Sequence, residues 1–157
     1  MKSNLTLVEF RNRLEAKLEM GSPKHHIPWG FFSIFVTNSK CFYGKYDSTT
    51  FELTKNSNFT PNYYFIKGSY HLKENQILIN YSLLPMGRLR IAYLTYFPYV
   101  VFFLFNSLFY FSLKPPTIVY IIFNLFLLII SLLMRLTLKF QRKKLMQKFE
   151  TLFEITT

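Results

Sequence analysis

Residues 91–113, IAYLTYFPYVVFFLFNSLFYFSL, and residues 117–138, TIVYIIFNLFLLIISLLMRLTL, decide the fold of this protein. A short turn separates them, and Lys114 and Arg135 are the only charged residues in the whole stretch. A helix rises about 1.5 Å per residue and the hydrocarbon core of a bilayer is roughly 30 Å thick, so about 20 apolar residues suffice for one crossing. Every face of both segments is apolar, whereas a soluble helix keeps a polar face. The sequence therefore predicts a two-span transmembrane helical hairpin.

The excess of positive charge lies beside these spans. The net charge is +11, with 19 Lys and Arg residues against 8 Asp and Glu residues. Basic residues that flank transmembrane helices normally stay in the cytoplasm and contact anionic lipid headgroups. We therefore predict no nucleic-acid partner, both termini in the cytoplasm, and Lys114 on the opposite side of the membrane. The predicted membrane-surface contacts are Arg88, Arg90, Arg135, Lys139, Arg142, Lys143, Lys144 and Lys148.

Two asparagines occupy matched positions in the two spans. Counted from Pro115, Asn106 lies nine residues before the turn and Asn124 nine residues after it. In an antiparallel hairpin both amides then reach about the same depth, roughly 13 Å from the turn. An asparagine that faces hydrocarbon alone is unfavourable, and a hydrogen bond between facing helices removes that exposure. The spacing predicts an interhelical polar pair within one hairpin, with pairing between two copies of the chain in a homo-oligomer as the alternative.

Residues 1–22 and residues 139–157 are predicted to form amphipathic helices, the second continuing from the second span as one basic helix. Thr6 and Glu9 have the spacing of a capping box, and Gly21 is suited to ending the first helix. We expect the first apolar stripe to pack on the protein's own sheet; the membrane interface or a partner is the alternative. The stripes comprise Leu7, Phe10, Leu14 and Leu18 in the first helix, and Leu145, Phe149 and Leu152 or Phe153 in the second.

Between residues 29 and 84 the chain consists of short aromatic and β-branched runs divided by Asn, Gly, Ser and Asp, which is typical of strands. Residues 47–49 and 73–75 suit tight hairpin turns. Strands joined this closely make a small antiparallel meander on the cytosolic side, so the predicted fold class is an α+β membrane protein. The five runs are WGFFSIFV, CFYGKY, TFELTK, NYYFIKGSYHL and NQILINYSL.

The pattern FYGKYDSTTFELTK, then PNYYFIKGSYHLKENQILINYSLLP, then paired spans resembles a group of small, uncharacterised bacterial membrane proteins. In those proteins a strand-rich cytosolic segment precedes a transmembrane hairpin. The pattern also resembles, more loosely, bacterial pleckstrin-homology-like modules attached to spans. The likeness covers residues 42–138 and implies a location in the bacterial inner (plasma) membrane, but it brings no catalytic residues with it.

Few residues have the arrangement of a catalytic or metal site. His25 and His26 are adjacent and therefore point apart, and no further ligand follows at a suitable spacing, so we predict a loop and no metal. Cys41 and His71 would form a thiolate pair only if two strands brought them together, and no third group is available to orient them. We predict a structural cysteine.

These observations favour a non-enzymatic, membrane-anchored interaction or accessory protein that needs no cofactor. Its predicted partners are the lipid bilayer, anionic headgroups and a protein that the sequence does not identify. One alternative is a membrane enzyme acting on lipid, with Cys41 and His71 supplying the chemistry. A second alternative is a small oligomeric channel or transporter subunit, although residues 91–138 contain no Asp, Glu or His, the usual ion-site and proton-relay residues.

Overall fold

The computed structural model describes residues 1–23, 40–57, 61–74, 76–113 and 116–156. The predictions for the first strand run, the histidine pair and the turn between the spans lie outside these residues. The chain divides into two compact units, which we call the sheet unit (Met1–Met86 with Gln141–Thr157) and the helical unit (Gly87–Phe140).

The described residues form an α+β structure with seven strands and three α-helices. The sheet is mixed and has the order β2-β3-β4-β5-β6-β1-β7. The elements are β1 (Lys2–Ser3), α1 (Leu7–Lys17), β2 (Leu18–Met20), β3 (Phe42–Tyr46), β4 (Thr50–Lys55), β5 (Tyr64–Lys73), β6 (Gln76–Pro85), α2 (Arg88–Leu108) with a π-helical turn (Phe109–Leu113), α3 (Thr117–Leu152) and β7 (Ile155–Thr156).

The sheet extends the predicted meander at both edges. Strands β3 to β6 pair antiparallel in sequence order, as predicted. The expectation of a purely antiparallel sheet is wrong, because β2 runs parallel to β3, with Leu18 opposite Phe42. At the other edge the two chain ends pair with each other, β1 lying between β6 and β7. Strands of two or three residues are too short to show an alternating pattern in the sequence.

Helix α1 begins as predicted and ends early. The hydroxyl of Thr6 accepts from the amide of Glu9 at 3.3 Å, and the Glu9 carboxylate accepts from the amide of Thr6 at 2.8 Å, completing the capping box. The helix ends at Lys17 rather than near Gly21, because Leu18 turns into strand β2. Phe10, Leu14 and Leu18 are buried in the core with residues of the sheet, so the stripe packs on the protein's own sheet.

The end of α3 completes this core. Leu145, Phe149 and Phe153 are buried in it, as their spacing predicts. The ring of Phe149 lies 5.3 Å from that of Phe51 and 5.1 Å from that of Tyr81, centroid to centroid, on strands β4 and β6.

The predicted C-terminal helix at 139–157 is too long. Helix α3 ends at Leu152, and Glu154 takes a φ of 48°, in the left-handed region that stops a helix. Arg13 and Glu154 form an ion pair at 2.6 Å, and Ile155 then pairs with Ser3. These contacts with the distant N-terminus redirect the last residues into β7.

Two helices are long and apolar enough to cross a membrane, Arg88–Ser112 and Thr117–Leu152. The first lies in the helical unit, and the second begins there and ends in the sheet unit. In the most apolar 18-residue stretch of each helix, only 6% is buried inside the protein. The core helix of a soluble protein would be mostly buried. The second helix continues without a break past the predicted span, as expected from the sequence.

Candidate interaction surfaces

The interior of the helical unit contains the predicted asparagine pair. The amide nitrogen of Asn106 donates to the side-chain oxygen of Asn124 at 2.8 Å, and that of Asn124 donates in return at 3.2 Å. Each amide nitrogen also donates to a carbonyl one turn earlier in its own helix, Asn106 to Phe102 at 2.7 Å and Asn124 to Tyr120 at 3.0 Å. The structure thus brings the two residues together and engages both hydrogens of each amide within one chain.

Aromatic side chains close to these asparagines in the sequence also join the two helices. The ring of Phe123 packs against Phe105 at 4.8 Å and against Phe109 at 5.4 Å, centroid to centroid. Pairs of this geometry contribute roughly 0.5–1.5 kcal/mol beyond their buried area. They hold the two helices in a fixed rotation about their axes, which the spacing of the asparagines alone does not determine.

Seven of the eight predicted membrane-surface residues are exposed. Arg135 also has its guanidinium 5.2 Å from the centre of the Tyr99 ring, a cation–π contact between α3 and α2. The exposed residues are Arg88, Arg90, Arg135, Lys139, Arg142, Lys143 and Lys144.

Lys148, the eighth, is partly buried in the sheet unit. Its ammonium group donates to the carbonyl oxygen of Cys41 at 3.5 Å and lies 5.6 Å from the centre of the Phe42 ring. These contacts engage Lys148 with strand β3 and the residue before it, whereas the sequence predicts only a headgroup contact.

A small pocket of about 40 Å³ lies where the end of β4 meets α3. Lys55, Lys144 and Gln141 are among the residues that line it. Burial lowers the pKa of Lys55 from its ordinary value, and the nearby charges of Lys144 and Lys148 lower it further. This concentration of positive charge cannot be predicted from the sequence, where Lys55 and Lys144 are far apart.

A wider hollow of about 740 Å³ lies on strands β3 to β6. Lys45, Glu52 and Lys67 occupy paired positions across three of these strands. Glu52 forms ion pairs with Lys67 at 2.9 Å and with Lys45 at 3.6 Å, and both lysine side chains remain more than half exposed. The ammonium groups of Lys45 and Lys67 are therefore accessible to a partner, while the Glu52 side chain is only 15% exposed.

The structure keeps Cys41 and His71 apart. The carbonyl of Cys41 accepts from the amide of Asn56, just beyond one end of β4. His71 comes two residues after Ser69, and Ser69 pairs with Thr50 at the other end of β4. Five strand residues span about 17 Å, so a thiolate pair does not form in this structure. No group of three or more His, Cys, Asp and Glu that could hold a metal occurs among the described residues.

Comparison with known proteins identifies no relative. No protein-family model, no curated protein and no solved structure matches the chain. The function must therefore be argued from the two units themselves.

Proposed function

We propose that this protein is a non-enzymatic, membrane-anchored interaction protein, in which the helical unit is the anchor and the sheet unit presents the binding surface. The observation that carries the proposal is the exposure of the two apolar helices, since only 6% of the most apolar 18-residue stretch of each is buried. Contiguous apolar surface on this scale is unfavourable in water, while lipid covers it without cost and backbone hydrogen bonds stay within each helix.

The proposed location is the bacterial inner membrane, with both termini in the cytoplasm. It is supported by the exposed basic residues in the first turn of α2 and after the predicted second span, such as Arg88 and Arg142. Compartment-specific reporters inserted at Pro115 and at Thr157 are expected to report opposite sides. If both reported the same side, one of the two spans would not insert.

The proposed binding surface is the hollow on strands β3 to β6, whose charged row is formed by Lys45, Glu52 and Lys67. A protein partner is one occupant that fits it, because its lining combines two exposed cations with the carboxylates of Asp47 and Glu52 and nearby hydroxyl groups. The enzymatic alternative has no comparable support, because Cys41 and His71 lie at opposite ends of β4.

Photo-crosslinking in cells tests the surface. A photoreactive amino acid at Lys67 is expected to give one discrete product of higher mass. The same amino acid at Lys73 is the matched control, because Lys73 is exposed on the same strand and lies outside the hollow. Identical products at both positions, or none at either, would contradict a binding role for this face.

A further inference from the structure

The small pocket between β4 and α3 has the composition of an anion site. Lys55 lies at the end of β4, and the side-chain nitrogen of Asn62 donates to its carbonyl oxygen at 2.7 Å. This bond fixes the strand end that carries the lysine. From the other side, Gln141 and Lys144 extend from α3 into the same lining. Two segments far apart in the sequence therefore bring two lysines and a glutamine to one pocket.

No ion pair among the described residues neutralises the positive charge of this pocket. Lys144 and Lys148 are four residues apart, on one side of α3, where like charges repel. The ion pairs among the described residues join Arg13 to Glu154, and Glu52 to two other lysines. Burial and the two neighbouring lysines together lower the pKa of Lys55. An anion in the pocket would remove this repulsion and stabilise the charged form of Lys55.

We propose that the pocket binds a phosphate group, with Lys55 and Lys144 as its cationic partners and Gln141 as a neutral donor. An ammonium group offers three donors and a phosphate offers several strong acceptor oxygens, so charge-assisted hydrogen bonds form readily between them. The volume limits the ligand. A single water needs about 10–15 Å³, so a pocket of about 40 Å³ has room for a group of the size of a phosphate.

The phosphate belongs either to a lipid headgroup or to a free ion. Gln141 comes three residues after Leu138, the end of the predicted second span, which favours a lipid headgroup. That part of the inference rests on the proposed membrane anchor. The binding of phosphate in the pocket does not, because every lining residue belongs to the sheet unit.

Amine labelling of the full chain tests both parts. The protein is held in maltoside micelles with or without inorganic phosphate, and in phosphate-free glycolipid vesicles with or without phosphatidic acid. A limiting dose of an amine-reactive reagent is added, and mass spectrometry gives the labelling rates of Lys55, Lys144 and Lys143. Lys143 is the reference, because it is an exposed neighbour on the same helix that does not line the pocket.

Bound phosphate is expected to slow labelling of Lys55 and Lys144 by about tenfold, since it blocks both amines and raises the pKa of Lys55. Labelling of Lys143 should not change in the micelles, and in phosphatidic acid vesicles, where Lys143 is a predicted headgroup contact, it should slow less than that of the two pocket lysines. Protection by phosphatidic acid alone identifies a lipid ligand, and protection by inorganic phosphate as well identifies a site for the phosphate group itself. Absence of protection in every arm, or equal protection of all three lysines, would overturn the proposal.

Two variants make the test specific. Lys55→Gln should weaken phosphate binding by about tenfold, the loss expected for one charge-assisted hydrogen bond, while Lys55→Arg and the control Lys143→Gln should retain binding. Hydrogen exchange of the strand β5 amides shows whether each variant is folded. Resistance to carbonate extraction, measured in the same vesicles, tests the anchor separately. A protein that is extracted but still binds phosphate in micelles would contradict the proposed anchor and leave the site standing.

Discussion

The two units of this protein use the same residue types in opposite ways. In the sheet unit the large apolar side chains are inside, and Phe10, Phe149 and Phe153 have no exposed surface. In the helical unit they are outside, with Phe103 68% and Leu128 63% exposed.

Two polar side chains of the helical unit lie between its helices and bond there, where a water-soluble protein would usually place apolar residues. Asn106 and Asn124, which would be ordinary surface residues in a water-soluble helix, bond to each other between the helices. The two units therefore distribute apolar and polar side chains in opposite ways. The arrangement of the sheet unit suits water, and that of the helical unit suits hydrocarbon.

Phe149→Ala should reduce the free energy of unfolding of the sheet unit by about 3–5 kcal/mol, because it leaves a cavity at the centre of the core. Phe140→Ala is the control on the same helix, since Phe140 is exposed, and it should have little effect. Denaturant unfolding in detergent, followed by hydrogen exchange of the strand β5 amides, measures both. Similar losses in the two variants would show that Phe149 is not central to packing.

Lysine substitutions at two exposed leucines distinguish the two solvents. Leu128→Lys places a charge near the middle of the second span and should cost about 2.5–3.5 kcal/mol of membrane insertion. Leu72→Lys, on an exposed residue of strand β5, should change the stability of the sheet unit by less than about 0.5 kcal/mol. Glycosylation mapping of insertion gives the first value and denaturant unfolding the second. Normal insertion of the Leu128→Lys chain would exclude a lipid-facing position.

Asn106→Leu should destabilise the helical unit by about 0.6–2 kcal/mol, because Asn124 then loses its partner across the helices. Ser107→Leu is the matched control at an exposed neighbouring position. The double variant with Asn124→Leu should cost less than the sum of the single changes, since neither amide is then left unpaired. Steric trapping of unfolding in bilayers measures these energies, and additive losses would mean that the two amides act independently.

Acid should affect the sheet unit alone. The hydroxyl of Thr50 and the amides of Thr49 and Thr50 donate to Asp47, which lowers the pKa of Asp47 from 3.8 to about 2. The stability from this turn is therefore present above pH 3.8 and is lost as the pH falls through about 2. Residues 91–138 contain no Asp or Glu, so the helicity of α2 should not change over this range.

NMR titration of the Asp47 carboxyl, with circular dichroism of the whole chain, tests this expectation. Asp47→Asn should remove this contribution to the pH dependence. An Asp47 pKa near 3.8 would mean that the turn does not hold the carboxylate in solution.

Local patterns in the sequence were enough to predict much of this architecture. The capping box of Thr6 and Glu9, the apolar stripe of α1 and strands β3 to β6 follow from residue spacing within single segments. The equal depth of Asn106 and Asn124 follows from counting along two helices. Their rotation toward each other depends on the packing of Phe123 and its neighbours, which counting does not provide.

Contacts between distant segments were beyond such reasoning. Strands β1 and β7 form because the two chain ends meet, and nothing in the residues Lys2–Ser3 predicts their partner. Strand β2 leaves the helical pattern because β3 is beside it. The pocket at Lys55 exists only when α3 lies against the end of β4, so the sequence showed its lysines as separate surface charges.

In this proposal similarly exposed leucines of the two units, Leu128 at 63% and Leu72 at 53%, face different solvents. Nitroxide labels introduced by Leu128→Cys and by Leu72→Cys, each with Cys41→Ser, report this directly in reconstituted bilayers. We expect the label at 128 to relax with dissolved oxygen, which concentrates in hydrocarbon, and the label at 72 to relax with a water-soluble nickel chelate. Equal access of the nickel chelate to both labels would contradict the account.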